Sequence, residues 1–179
     1  MQKINFFEFD KQTDLPELSS WKSKFGKTEA YQNIVHFILK NENATLFKEL
    51  HFDGALDKSG EQQRKTIVAK NEQNEIVGFI TIDEEKSDTA YIKFIVVSPK
   101  FAHKGYGKEI LSKIIKNIEK ILNKKIKTVY ANIKTSNKAS QKLFESVGFH
   151  KSNVKGLSKL VQYEICPEKI LESSQNQPS

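Results

Sequence analysis

The sequence predicts a single α/β domain built on a mixed sheet, and three observations carry that prediction. Period-two apolar alternation begins at Lys65 and gives two strands around a tight turn. A strand, a long amphipathic helix and another strand then follow in direct succession. A second helix ends in Gly148-Phe149, a pair suited to closing a helix against its own core. With 179 residues and 37% hydrophobic content, the chain suits one core. The domain is expected over 1–166, with 167–179 a polar tail that is frayed or disordered, because Ser173 to Ser179 offers no apolar anchor.

In chain order, residues 4–9 read as the first strand, Ile4 and Phe6 alternating with Asn5 and Glu8. Leu15, Leu18 and Trp21 share one helical face, and Tyr31, Ile34, Val35, Ile38 and Leu39 share another, so two helices are expected next. Residues 41–60 mix turn formers with Leu46, Phe47, Leu50 and Phe52 and read as an ordered connection. Strands over 66–70 and 76–82 form a hairpin around 71–74, and a turn at 84–88 leads to a strand over 90–97. Its last residues, Phe94, Ile95, Val96 and Val97, are apolar on both faces, which places it in mid-sheet; Pro99 ends it, since proline cannot donate to a ladder.

The strongest helix is expected from residue 105 to about 123, where Ile110, Leu111, Ile114, Ile115, Ile118, Ile121 and Leu122 form one stripe. A strand over 127–133 follows, so a parallel pair joined by a right-handed crossover is expected. The next helix spans 137–147 with Ala139, Leu143, Phe144 and Val147 inward, Gly148 left-handed and Phe149 stacked on Phe144. A last strand is expected over 157–165.

Lys and Arg outnumber Asp and Glu by 29 to 22, a net charge of +7 that favours anionic ligands without choosing among them. Arg64 is the only arginine, so bidentate guanidinium contacts to base edges are nearly unavailable and sequence-specific nucleic-acid binding is not expected. Cys166 is the only cysteine, which excludes an internal disulfide and a cysteine-based metal cluster and fits a reducing compartment. No window approaches the roughly 18 apolar residues of a membrane span, and the first ten residues lack a leader pattern. A soluble, cytoplasmic protein with no membrane partner and no metal is expected, as a monomer or homodimer.

Chemistry concentrates in Val97-Ser98-Pro99-Lys100-Phe101-Ala102-His103-Lys104-Gly105-Tyr106-Gly107-Lys108, where a buried strand turns into the long helix. Two glycines at the helix start let a ligand approach the main chain, and the N–H groups of the first turn form an anion site suited to a pyrophosphate. Lys104 and Lys108 add positive charge. A P-loop would require Ser or Thr where Glu109 stands, and a dinucleotide fingerprint would require Gly or Ala where Ile110 stands.

Here the chain resembles the GCN5-related N-acetyltransferases. Their central motif, a strand ending Val-x-Pro, then Arg/Gln-x-x-Gly-x-Gly/Ala and a helix, is matched by Val97, Pro99, Ala102, Gly105 and Gly107. Their next motif, Asn-x-x-Ala-x-x-Leu-Tyr-Glu-Lys-x-Gly-Phe, is matched by Asn137, Leu143, Glu145, Gly148 and Phe149, with Ser140, Phe144 and Ser146 as departures. The resemblance implies a sheet of six to seven strands, parallel and splayed between its fourth and fifth, flanked by helices. It implies acetyl-CoA as cosubstrate, with pantetheine in the gap beside Ile95, Val96 and Val97, the pyrophosphate on His103, Lys104, Gly105, Tyr106, Gly107 and Lys108, and Asn137 and Phe144 near the pantetheine arm. An N–H at Ile95 would polarise the thioester carbonyl. Asn137 also suits the N-cap of its own helix.

The departures bear on catalysis. Ala102 removes a side-chain contact but not the backbone cradle, and Phe144 stands where many relatives place a proton-donating tyrosine. A thiol titrates near pH 8.5, so its thiolate can leave without a dedicated acid. Tyr91 occupies the position of a glutamate base and is a poor base near neutrality. Glu84, Glu85, a water chain, His51 and Asp53 are further candidates for the base; His103 suits a phosphate or solvent contact, and His36 and His150 read as structural. The implied activity is transfer of acetyl from acetyl-CoA to a primary amine by direct attack, the acceptor itself not being legible. The competing reading is an acyl-CoA-binding regulatory module without efficient turnover, motivated by Phe144 and Tyr91.

Overall fold

A computed structural model describes residues 2–24, 64–85, 88–154 and 158–168. The helix expected over 31–39, His36, the connection carrying His51 and Asp53, and the end of the polar tail lie outside the described residues. The described elements are β1 (Ile4–Glu8), α1 (Lys11–Lys24), β2 (Arg64–Asn71), β3 (Ile76–Glu84), β4 (Thr89–Val97), a 3₁₀ turn (Pro99–Phe101), α2 (Tyr106–Lys116), α3 (Ile118–Leu122), β5 (Thr128–Lys134), α4 (Lys138–Glu145), β6 (His150–Lys151) and β7 (Leu160–Ile165). Seven strands form one sheet in the order β1-β2-β3-β4-β5-β7-β6. Among the described strands only β4 and β5 run parallel, as expected for the two strands joined through helices.

One face of the sheet is covered by α2, whose Ile110, Leu111, Ile114 and Ile115 are buried with Ile80, Ile82, Ala90, Ile92, Val129 and Ala131. The other face meets α1, where Leu18 and Trp21 are buried and Trp21 stacks on Phe79 with ring centroids 6.4 Å apart. Gly78 lets β4 and α2 come this close. A Cβ there would lie 2.4 Å from the Val96 carbonyl oxygen and 3.0 Å from Ile110 Cδ1.

The helix expected from residue 105 to about 123 is broken at Asn117. The Asn117 side-chain amide donates to the Lys113 carbonyl (2.8 Å), while its own N–H reaches the Ile114 carbonyl at 3.1 Å. This local competition with helical bonding is a property of asparagine. The break leaves the apolar stripe in register, since Ile114, Ile115, Ile118 and Leu122 are all buried. Burial of each contributes about 1.5–3 kcal/mol against a net cost of about 1 kcal/mol for one lost hydrogen bond, so packing holds the direction of the chain.

In α4 the inward set differs from the expectation. Phe144 is buried, but Ala139 is exposed and Gln141 takes the inward position, its amide donating to the carbonyls of Lys134 and Thr135 at 3.0 Å each. The helix ends as expected. Gly148 has φ 100°, its N–H reaches the Glu145 carbonyl (3.1 Å), and the Phe149 N–H reaches the Phe144 carbonyl (3.1 Å), the bond pair of a Schellman ending. The last strand starts later than expected, at Leu160, and β6 is a two-residue edge strand without a signal in the sequence.

Candidate active site

The sheet opens between β4 and β5. Their parallel ladder consists of Thr89 with Thr128, Ala90 with Val129 and Tyr91 with Tyr130, and stops there. A cause lies in β4 itself. Thr81 faces Phe94 and Ile82 faces Ile92, leaving Lys93 as an extra residue, and such a bulge bends its strand and raises the local twist. The expectation that both faces of residues 94–97 would be covered is therefore only partly met: Val96 is buried, whereas Phe94, Ile95 and Val97 are half-buried along the opening.

Main-chain direction on β4 follows from one bond. The Ser98 N–H donates to the Val77 carbonyl at 2.8 Å, so in an antiparallel ladder Val96 also directs its N–H and C=O to β3, while Ile95 and Val97 turn theirs to the β5 side. Val96, expected among the cofactor contacts, thus has its main chain on β3 and its side chain in the core at 5% exposure.

Beyond β4 the 3₁₀ turn is closed by Phe101 N–H to Ser98 carbonyl (2.8 Å), and the chain enters α2 through two left-handed residues, His103 (φ 60°) and Gly105 (φ 84°). The first helical bond runs from the Glu109 N–H to the Gly105 carbonyl (3.2 Å), and no side chain caps the helix. The N–H groups of Tyr106, Gly107 and Lys108 therefore have no helical carbonyl to meet, and with the helix dipole they form an anion site. His103, Lys104 and Lys108 are exposed around it. Tyr106 contributes only main chain: its ring is buried, edge-on to Phe101 at 5.7 Å, and its hydroxyl accepts from the Gln2 N–H at 3.2 Å. A Cβ on Gly107 would sit 3.4 Å from Val97 Cγ2 and 3.5 Å from Leu143 Cδ2, ordinary contact distances.

On the far side of the opening, the Asn137 carboxamide oxygen accepts from the Ser140 N–H (3.1 Å), so Asn137 caps α4 and its amide nitrogen is left to donate elsewhere. Phe144 is 2% exposed and edge-on to Phe149 at 4.9 Å. That is the inward, Phe149-stacked packing expected for the end of α4. Tyr91 stacks on Tyr130 at 4.9 Å, and the Tyr130 hydroxyl donates to Glu85 Oε1 at 2.5 Å. Burial, then that carboxylate, pushes the Tyr130 pKa well above the ordinary phenol value. Glu84 instead pairs with Lys124 at 2.6 Å. His150, at the edge, lies 3.6 Å from Glu164.

Residues 29–149 match the acetyltransferase (GNAT) family. The chain belongs to that family. Among relatives of GNAT type, 84 residues are 31% identical to a [ribosomal protein bS18]-alanine N-acetyltransferase of Haemophilus ducreyi, covering 47% of this chain and 55% of that protein. Another 84-residue match, 36% identical and covering 46% of each, is to an L-2,4-diaminobutyric acid acetyltransferase of Shouchella clausii. The aligned stretch thus spans about half the length of each relative. A solved spermidine N-acetyltransferase of Vibrio cholerae, crystallised with CoA and spermine, superposes with a TM-score of 0.65 at 16% identity, over 94% of this chain and 98% of that one. At that identity the likeness is one of fold, and it agrees with the GNAT sheet described above.

The structure gathers Ile95, Val97, the 103–108 turn and Asn137 around the parted strands, and assigns Phe144 to the core. Sequence reasoning missed Tyr130 and Asn132. The period-two pattern of β5 was the available signal, since it sets Tyr130 and Asn132 on the face opposite buried Val129, Ala131 and Ile133.

Proposed function

We propose that this chain transfers the acetyl group of acetyl-CoA to a primary amine by direct attack. The observation that supports this best is the joint placement of the Ile95 main chain, turned to the β5 side of β4, and the uncapped start of α2 at the same opening. The anion site and its exposed lysines suit a pyrophosphate, and the opening suits an extended arm that pairs with β4 as a strand would.

Bound acetyl-CoA supplies an acetyl group activated as a thioester: the amine nitrogen bonds to the carbonyl carbon, the carbon–sulfur pair leaves with sulfur, and the surplus proton passes to water. Ile95 directs an N–H at the position where negative charge develops on the carbonyl oxygen. Asn137 holds its cap with oxygen while its amide nitrogen is available as a donor. Phe144 supplies no proton, and a thiolate with its ordinary affinity for protons leaves without one.

The test is thiol release from acetyl-CoA with a panel of primary amines, the N-acetyl product being identified by mass. Steady release dependent on amine supports transfer. Tight binding of acetyl-CoA with no release for any amine supports the competing regulatory module instead.

A further inference from the structure

The two ends of the opening differ in their charged side chains. One is lined by bases, and the other gathers carboxylates beside the ammonium of Lys124, which pairs with Glu84 at 2.6 Å and donates to the Glu85 carbonyl at 3.0 Å. At the α2 end are His103, Lys104 and Lys108, exposed around the uncapped helix start. At the end where β4 and β5 still pair are Tyr91 and Tyr130, stacked at 4.9 Å, with Glu85 fixed on the Tyr130 hydroxyl. Asp83 lies opposite Tyr91 in the β3–β4 register, and Glu164 lies opposite Tyr130 in the β5–β7 register, so three carboxylates border one aromatic pair.

A second observation is independent of that charge. Asn132 lies two residues beyond Tyr130 on the same face of β5, in the stretch past the end of the ladder. Its Oδ1 atom is buried and accepts no hydrogen bond among the described residues. A buried acceptor without a donor is costly, and a ligand N–H is the group that relieves it.

We propose that the acceptor is a short aliphatic diamine or an amine with an equivalent second cation: Asn132 Oδ1 receives an N–H of the attacking nitrogen, and the second ammonium rests on the Tyr91–Tyr130 wall beside Glu85. The two positions are two strand residues apart, on the order of 7 Å, which a short diamine spans. Tyrosine faces attract ammonium groups, and a partly buried carboxylate adds charge-assisted hydrogen bonding. Glu85 is a specificity residue here, and Tyr130 positions it. This inference rests on the amine-acetylation reading above and adds the acceptor class to it.

The experiment compares kcat/KM for putrescine and cadaverine with that for butylamine and pentylamine, in the wild type, Glu85→Gln, Tyr130→Phe and Asn132→Leu. The diamine-to-monoamine ratio of one enzyme is independent of how much of the sample is folded. The wild type is expected to favour the diamines by about tenfold or more, and Glu85→Gln to remove most of that preference. Tyr130→Phe is expected to reduce the ratio in the same direction, because Glu85 loses its fixed orientation. Asn132→Leu is expected to lower kcat/KM for both amine types with the acetyl-CoA dissociation constant unchanged.

Equal use of monoamines and diamines by the wild type, or a ratio unmoved by Glu85→Gln, would overturn the inference and leave amine acetylation standing. Acetyl-CoA binding without turnover of any amine would overturn amine acetylation, and this inference with it.

Discussion

The Phe144 ring stands edge-on to Phe149, centroids 4.9 Å apart and planes at 73°, across the left-handed turn at Gly148. This contact ties the end of α4 to the core and takes up the side chain whose motif position suggested a role beside the thioester. Phe144→Tyr therefore inserts a hydroxyl into apolar packing, and a loss of about 1–3 kcal/mol in stability is expected. Acetyl-CoA affinity is expected to stay as in the wild type. Urea unfolding and equilibrium titration on the same variant check this, and unchanged stability with higher turnover would mean that the position borders the cofactor after all.

The two glycines of the turn are expected to behave differently. Gly105 has φ 84°, so Gly105→Ala places a side chain in the left-handed region and costs roughly 1–2 kcal/mol. Gly107→Ala adds a Cβ at ordinary contact distance from Val97 and Leu143 and is expected to be neutral within about 0.5 kcal/mol. Thermal melts of the two variants side by side distinguish the two roles, and equal losses would contradict the geometry.

The fold was legible in the sequence where burial and periodicity coincide. The α2 stripe, the β2–β3 hairpin and the Schellman ending of α4 are set by local patterns that tertiary packing does not override. The Asn117 break was not legible, because an asparagine in a helical pattern can equally point to solvent; its competition for the Lys113 carbonyl is set by the folded chain. Motif spacing located the Gly105-Gly107 turn and Asn137, both defined by main-chain geometry that spacing encodes. The stack of Phe144 on Phe149 was legible too, since the Gly148-Phe149 ending encodes it, whereas a motif position alone does not say how an aromatic ring without its hydroxyl meets a cleft. The pairing of Tyr130 with Glu85 joins residues 45 apart in sequence, and no local signal announces such a contact.

Stability is expected to fall in alkali through Tyr163. This fully buried phenol donates to Glu145 Oε1 at 2.8 Å, and burial first, that carboxylate second, pushes its pKa up to about 12. The unfolded phenol titrates near pH 10, so the unfolded chain loses its proton first. The stabilising contribution is complete below about pH 10 and is lost as pH rises towards about 12. Urea midpoints across that window are expected to fall less steeply in Tyr163→Phe than in the wild type; parallel slopes would contradict the assignment.

Equilibrium binding tests most directly whether the parted strands and the start of α2 hold acetyl-CoA. Isothermal titration is expected to give one site per chain, and at a hundredfold excess over the dissociation constant the ligand is expected to stabilise the fold by about 2.7 kcal/mol. Gly107→Val, which carries methyl groups into the contact with Val97 and Leu143, is expected to abolish the binding heat while the variant still melts cooperatively. The contradicting result is a folded wild type that shows neither heat nor stabilisation with acetyl-CoA or with CoA.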